Sequence, residues 1–442
     1  MLAITFILII TLVIGLPLSL LLLKRQNMFI VLGSAFPLGI GIYTLLMFIG
    51  NLVGIRFSLL NESILLFGMV VPLSVLLRHR IKSFVTDCQK SIAKIKLSPI
   101  EKIMLAAILF LIGTSFINTL YWPVHIWDSL TLYDIRGKVF AQTGFMKDAW
   151  FSSYYWGYPL LTSLAHTVVY LCGGLYPQFL YSLFYLSLGL SFYGGLREFS
   201  SRKISMFSLI VLLATQPLFY HSLISYTNLP YTVYLFLGVL SLYLWDKKRE
   251  MGYLILSALF AGLSTWTRSV EPFWMGLILA VILVSIYRKK IWNILIYLTF
   301  LLPIREVWIL FQGTLLVPAV STSSASSSQP NMLIALFDYK RWIEIITFLS
   351  KNIIIPWGTI IVAFVLSAIY IFLIKKQKKH FLIYLITLIF LGVLVGGIFI
   401  FSLSFKGALN LGDSAERLSM LFYPLFIYCI GLVLYEKNNT TK

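Results

Sequence analysis

The chain has 442 residues, 59% of them apolar and only 12% charged, with a mean hydropathy of +0.91. Soluble domains carry about 25% charged residues, so this composition excludes an ordinary water-soluble enzyme and places the chain in lipid. The net charge of +19 falls in short clusters between apolar runs, the pattern of cytoplasmic loops, and leaves no basic domain on which nucleic acid could lie.

Runs of 18 or more apolar residues can cross about 30 Å of hydrocarbon as helices. Lipid offers the backbone no hydrogen-bond partner, so a helix or closed barrel is required, and unalternating runs exclude the barrel. The first run, 2–23, has no basic stretch before it and no small-residue cleavage site after it, so it reads as a retained span and not a signal peptide. Further spans are expected at 28–50, 59–77, 103–120, 178–196, 204–222, 229–245, 252–267, 272–287, 291–312, 353–374, 381–403 and 418–435. The expected fold is an all-α polytopic membrane protein of about 13 transmembrane helices. Residues 1–102 would form N-terminal helices with a basic cytoplasmic loop, and 103–442 the functional region.

Basic clusters punctuate the runs: Lys24-Arg25, Arg78 with Arg80 and Lys82, Arg197 with Arg202-Lys203, Lys247-Lys248-Arg249, Arg288-Lys289-Lys290 and Lys375-Lys376 with Lys378-Lys379. Keeping all of them in the cytoplasm demands an even number of crossings between successive clusters. That parity decides the apolar segment 158–174, which would flip every later cluster if it crossed. It is short and carries His166 near its middle, so it is expected to lie along the outer interface. The N-terminus is then outside and the C-terminus inside, with long outer stretches at 121–177, 313–352 and 404–417. The second contains the Ser-rich STSSASSSQPN (321–331), a flexible segment, followed by LFDYKRWIEIITFL, which reads as an amphipathic interfacial helix. Cys88, Cys172 and Cys429 are scattered, with neither metal-ligand nor disulfide spacing. Gly392 and Gly396 form a GxxxG pattern that close helix packing explains.

Charges in or beside a membrane are functional candidates by default. The outer side gathers Asp128, Asp134, Arg136, Lys138, Arg268, Glu271, Arg305, Glu306, Glu416 and Arg417. Helix-to-helix salt bridges are the plainer reading, but several of these charges fall at one depth on one side. The stretch YWPVHIWDSLTLYDIRGKVFAQTG (121–144) follows a span, opens with aromatics and continues as an amphipathic helix ending at Gly144. Tyr121, Trp122 and Trp127 suit an aromatic belt. Asp128 at that level could take a proton from an arriving hydroxyl; alternatively it is a helix N-cap.

WDSLTLYDIRGKVFAQTG resembles the first-outer-loop signature of a bacterial branch of the GT-C superfamily of membrane glycosyltransferases. That superfamily includes protein mannosyltransferases and the aminoarabinose transferases of lipid A. In that resemblance Asp128 matches the catalytic acid, and Arg136 and Lys138 match a basic pair. YWGYPLLTSLAHTVVYLCGG is similar to the interfacial helix that follows. SYTNLPYTVYLFLGVL resembles the second outer loop, with Asn228 where the family usually has Asp, which weakens any metal-binding role. AGLSTWTRSVEPFW resembles the segment meeting the donor phosphate, with Arg268 in place of Lys, Glu271 one residue late and Pro272 for Gly. SAERLSMLFYPLFIY resembles the C-terminal Arg before a Pro-containing span, which is Arg417, preceded by Glu416.

The resemblance covers roughly residues 103–435 and implies a GT-C-like bundle with interfacial helices in the first outer loop. It implies a transferase moving a sugar from a polyprenyl-phosphate donor to a lipid or glycan acceptor, at the non-cytoplasmic face of a bacterial plasma membrane. Asp128 would be the base, and Arg268, with Arg305, Lys138 or Arg136, would bind the donor phosphate; direct displacement would invert the anomeric carbon. No organic cofactor is implied, and a divalent metal is left open. Two rivals remain: an O-antigen-type polymerase or ligase, whose fold lacks the Trp-Asp loop, and a lipid or glycan transporter, which would favour broken, inverted paired spans.

Overall fold

Capping chemistry sets the helix ends. The computed structural model describes residues 1–23, 27–149, 158–269, 271–314, 335–376, 379–404 and 417–434. The first helix, α1 (Leu2–Leu22), leads to α2 (Met28–Leu52), where the Asn27 side chain accepts from the amides of Phe29 and Ile30. After α3 (Leu59–Ala93), Ser98 opens α4 (Pro99–Tyr121) with a capping box. Glu101 Oε2 accepts from the Ser98 amide at 2.8 Å, and Ser98 Oγ accepts from the Glu101 amide at 3.4 Å. A π-helical turn, Ser129–Asp134, precedes α5 (Ile135–Thr143), which ends at Gly144 in the left-handed region (φ 87°), the usual glycine exit. Then come α6 (Leu161–Leu171), α7 (Phe179–Arg197), α8 (Arg202–Leu213) and α9 (Gln216–Leu223). Next are α10 (Asn228–Lys248), α11 (Met251–Thr267), α12 (Phe273–Tyr287), α13 (Trp292–Thr314), α14 (Tyr339–Ile374), α15 (Phe381–Ser404) and α16 (Arg417–Leu434).

The protein is an all-α polytopic membrane protein, with no strand among the described residues. Nine described helices are long and apolar enough to cross a membrane, or ten if the bent pair α8 and α9 counts as one span. Of the other three expected spans, 59–77 falls within the continuous 35-residue helix α3, while Met251–Thr267 and Phe273–Tyr287 are helical but short of that measure. At 1.5 Å per residue, the latter two rise about 26 and 22 Å, less than the hydrocarbon thickness.

Helix α10 is the axis of the bundle, buried from Asn228 to Trp245. One main hydrophobic core surrounds it and draws on helices from both sides of the 102/103 division. Tyrosines fill much of it, their hydroxyls turned to polar partners: Tyr234 donates to the Pro37 carbonyl at 2.8 Å and Tyr231 to that of Glu271 at 3.2 Å. The abundant tyrosine is therefore not confined to interface belts.

Three expected elements differ in form. The sequence predicts a separate interfacial helix over 336–349 before a span at 353–374. Instead Asp338 caps a continuous 36-residue helix, α14, and Arg341 anchors its start to the Ser402 carbonyl at 2.7 Å. Helix α6, expected to lie on the interface, is buried by protein from Leu161 to Val169; its eleven residues rise only about 16 Å. Gly392 and Gly396 face no neighbour within 4 Å among the described residues, so the packing expected of GxxxG is not made there. The Ser-rich 321–331 lies outside the described residues.

Contacts sort the loops into two ends. At one, Arg80 donates to the Leu20 carbonyl, Asn27 reaches Glu198, Glu198 pairs with Lys248, Arg202 with Glu101, and Asp246 with Arg288. The basic clusters thus meet one another. At the other, Asn51 holds the Gly144 carbonyl at 3.0 Å, Gln178 that of Pro123 at 2.8 Å, and Arg417 reaches Asp128.

Candidate functional site

The site at this second end begins at the start of the first long loop. Asp128 has helical backbone angles (φ −61°, ψ −33°), and its side chain makes no capping hydrogen bond. The N-cap reading therefore does not hold. Its Oδ2 accepts instead from Arg417 Nη1 at 3.0 Å, across the whole fold. Asp128 is 34% exposed and Arg417 19%, so a solute can reach the carboxylate while the guanidinium stays mostly enclosed.

From Arg417 the contacts continue. Its guanidinium lies 5.2 Å from the Tyr226 ring centre, a cation–π distance. The next residue, Thr227, accepts from Arg268 Nη1 at 3.4 Å and shares a hydrogen bond with the Tyr133 hydroxyl at 3.1 Å. Tyr133 stands five residues after Asp128. A π-helical turn bonds i to i+5 and so sets both on one face, whereas an α-helix would place them about 140° apart. The ring is thus one of contacts and chain neighbours: Asp128 to Arg417, Arg417 to Tyr226, Thr227 to both Arg268 and Tyr133, and Tyr133 back along the turn to Asp128. His221, on the short helix α9, packs against Tyr226 and lies within electrostatic reach of both arginines.

Arg268 follows α11, and Glu271 precedes α12. Glu271 Oε1 accepts from Arg268 Nε at 2.8 Å and also from Nη2. Burial works against the guanidinium charge, but Glu271 outweighs it and raises the pKa of Arg268, keeping it cationic. Asn228, the first residue of α10, is buried beside Thr227.

Other expected site residues lie elsewhere. Arg136 is fully buried and donates to the carbonyls of Leu132 (2.7 Å) and Tyr158 (3.0 Å). Lys138 is half exposed and pairs with Asp134 at 2.7 Å. These contacts tie both residues into the loop and not to Asp128. Arg305 pairs with Glu306 and sits 4.7 Å from the Trp274 ring centre, on the first turn of α12. Glu416 lies outside the described residues.

Sequence reasoning named Asp134 only among the outer charges and missed its role. Its buried carboxylate pairs with Lys138, accepts from the Tyr170 hydroxyl and stands 3.3 Å from His166 Nδ1. Burial alone would raise its pKa, but hydrogen bonds and charge from His166, with Lys138 and Tyr170, hold it at about 2. This cluster bolts α5 to α6 and thereby fixes the turn that carries Asp128. Tyr133, Tyr226, Thr227 and His221 were also missed; the only signal was that the first three lie inside the quoted motifs and His221 four residues before one of them.

At the bend between α8 and α9 (63°) a cleft of about 380 Å³ opens. Thr215, Gln216, Pro217, Pro356, Trp357 and Tyr423 line it. Helix α9 thus carries the cleft at its start and His221 near its end. Among the described residues, no three His, Cys, Asp or Glu side chains gather as a metal site. Compared with known proteins, the chain matches no family model, no curated protein and no solved structure.

Proposed function

We propose that this ring is the active site of a membrane glycosyltransferase. It would move a sugar from a polyprenyl-phosphate donor to a hydroxyl of a lipid-linked or envelope acceptor, at the non-cytoplasmic face of a plasma membrane. One observation carries the reading: an uncapped, partly exposed carboxylate meets Arg417 directly and is linked through Tyr226 and Thr227 to Arg268, at the end of the bundle opposite the basic clusters.

The chemistry suits those groups. The acceptor hydroxyl attacks the anomeric carbon; the bond to the phosphate oxygen breaks, and its electron pair stays on the phosphate. The hydroxyl proton passes to Asp128. Because the leaving phosphate is already anionic, it needs no acid, only cations to hold its growing charge. Arg268 and Arg417 supply these, and guanidinium groups match phosphate geometry. Arg417 has a double part: at rest it holds Asp128, and an arriving phosphate competes for it, leaving the carboxylate free to act as base. Attack opposite the leaving group inverts the anomeric carbon.

Reconstituted protein given polyprenyl-phosphate hexoses and pentoses tests this. Asp128→Asn keeps shape but loses the proton acceptor, so transfer should fall by about 10²–10⁴, with donor binding retained. Arg268→Ala should raise the donor concentration required, and Arg268→Lys should recover part of the loss. Wild-type transfer by the Asn variant ends the base assignment.

A further inference from the structure

At the end of the bundle remote from the site, three turns follow the C-termini of α10, α12 and α14. Each places a basic residue in the left-handed region: Arg249 (φ 63°), Lys289 (φ 54°) and Lys376 (φ 51°). Among the described residues these are the non-glycine residues with positive φ. Glycine is the ordinary occupant of such exits, so three cations at three strained positions call for a reason in their side chains.

The turns are held together. Asp246 pairs with Lys247, Arg249 and Arg288, while Lys247 also donates to the Lys379 carbonyl and Tyr243 contacts His380. That single carboxylate is used up by these neighbours. Lys289, Lys290, Lys375 and Lys376 remain exposed, with no carboxylate within 4 Å among the described residues. Large apolar side chains flank them on the outer surface: Tyr287, Ile291 and Trp292 around one turn, Leu373, Ile374 and Phe381 around another. Exposed aromatics beside exposed cations mark the level of lipid headgroups.

We propose that these three turns form a binding site for the phosphate headgroups of anionic phospholipid, with Arg249, Lys289, Lys290, Lys375 and Lys376 as its cations. The site is independent of the proposed transferase activity. Helix-end electrostatics alone would favour cations near these C-termini, but not in backbone conformations that glycine adopts freely. The apolar flanks select a lipid headgroup over a soluble phosphate.

The test uses the full chain in phosphatidylcholine nanodiscs, with and without phosphatidylglycerol. Phosphatidylglycerol should raise the unfolding temperature of the wild type. The variant Arg249→Gly, Lys289→Gly, Lys376→Gly should be at least as stable in pure phosphatidylcholine, since glycine relieves the backbone. It should nevertheless lose most of the phosphatidylglycerol increment, and bind that lipid more weakly by about fivefold per residue removed. Lys290→Gln with Lys375→Gln leaves the strained positions untouched and should also lose part of the increment. The proposal is overturned by an increment retained in full in both variants, by no increment in the wild type, or by free glycerol phosphate producing the same increment.

Discussion

Asp134, at the end of the π-helical turn, meets Lys138 from α5 and His166 and Tyr170 from α6, and these partners hold its pKa at about 2 against the usual 3.8. A folded-state pKa below the unfolded one gives stability that is present above about pH 4 and lost as pH falls toward 2. At 1.36 kcal/mol per unit, the shift corresponds to about 2 kcal/mol. Asp134→Asn should therefore unfold more easily than wild type at neutral pH, by about that amount, and its stability should change less between pH 4 and pH 2. Unfolding in detergent across that range checks it; identical pH profiles would remove Asp134 from the account of stability. Asp128 was legible in the sequence because it follows Trp127 directly after a span, at the level of an aromatic belt, in a stretch that resembles a known outer-loop signature. Asp134 was not, because His166 and Tyr170 come from a helix about thirty residues on.

Helices α5 and α6 cross closely enough that a Cβ at Gly137 would stand 2.8 Å from His166 Cβ and 2.9 Å from the Ser163 carbonyl. Neither neighbour is the tip of a flexible side chain, so Gly137→Ala must push the helices apart, at a cost of about 1–3 kcal/mol. The displacement also moves the Asp134–His166 contact and the turn bearing Asp128. A lowered unfolding temperature with reduced transfer is expected; an Ala variant matching wild type in both would show that the pair is not rigidly coupled. The end of α5 was legible from Gly144. The π-helical turn before it was not, because a widened turn leaves no mark in hydrophobic periodicity.

At the scale of the molecule, the two ends carry different chemistry, and contacts across the bundle keep them apart. With Cys88, Cys172 and Cys429 replaced, a cysteine at Leu175 reports the site end and one at Lys289 the basic end; both positions are exposed. A membrane-impermeant maleimide should label the two from opposite sides of sealed vesicles, Leu175 from the non-cytoplasmic side. Labelling of both from one side would overturn the arrangement. The parity of the basic clusters in the sequence required that 158–174 not cross; α6, too short to span, fits that requirement.

Composition and run length alone determined that the chain is a helical membrane protein, because lipid leaves the backbone no other way to satisfy its hydrogen bonds. They also located most helices and marked Asp128, Arg268 and Arg417 as charges needing a reason. Only the tertiary structure decided what those charges meet. Asp128 and Arg417 are 289 positions apart in sequence yet hydrogen-bonded at 3.0 Å, and no local pattern encodes such a pairing. The same holds for Arg136 and Lys138: the resemblance implied a phosphate-binding pair, but Arg136 turns onto backbone carbonyls and Lys138 onto Asp134. Side-chain direction depends on which helix packs alongside, and packing is a property of the folded chain as a whole.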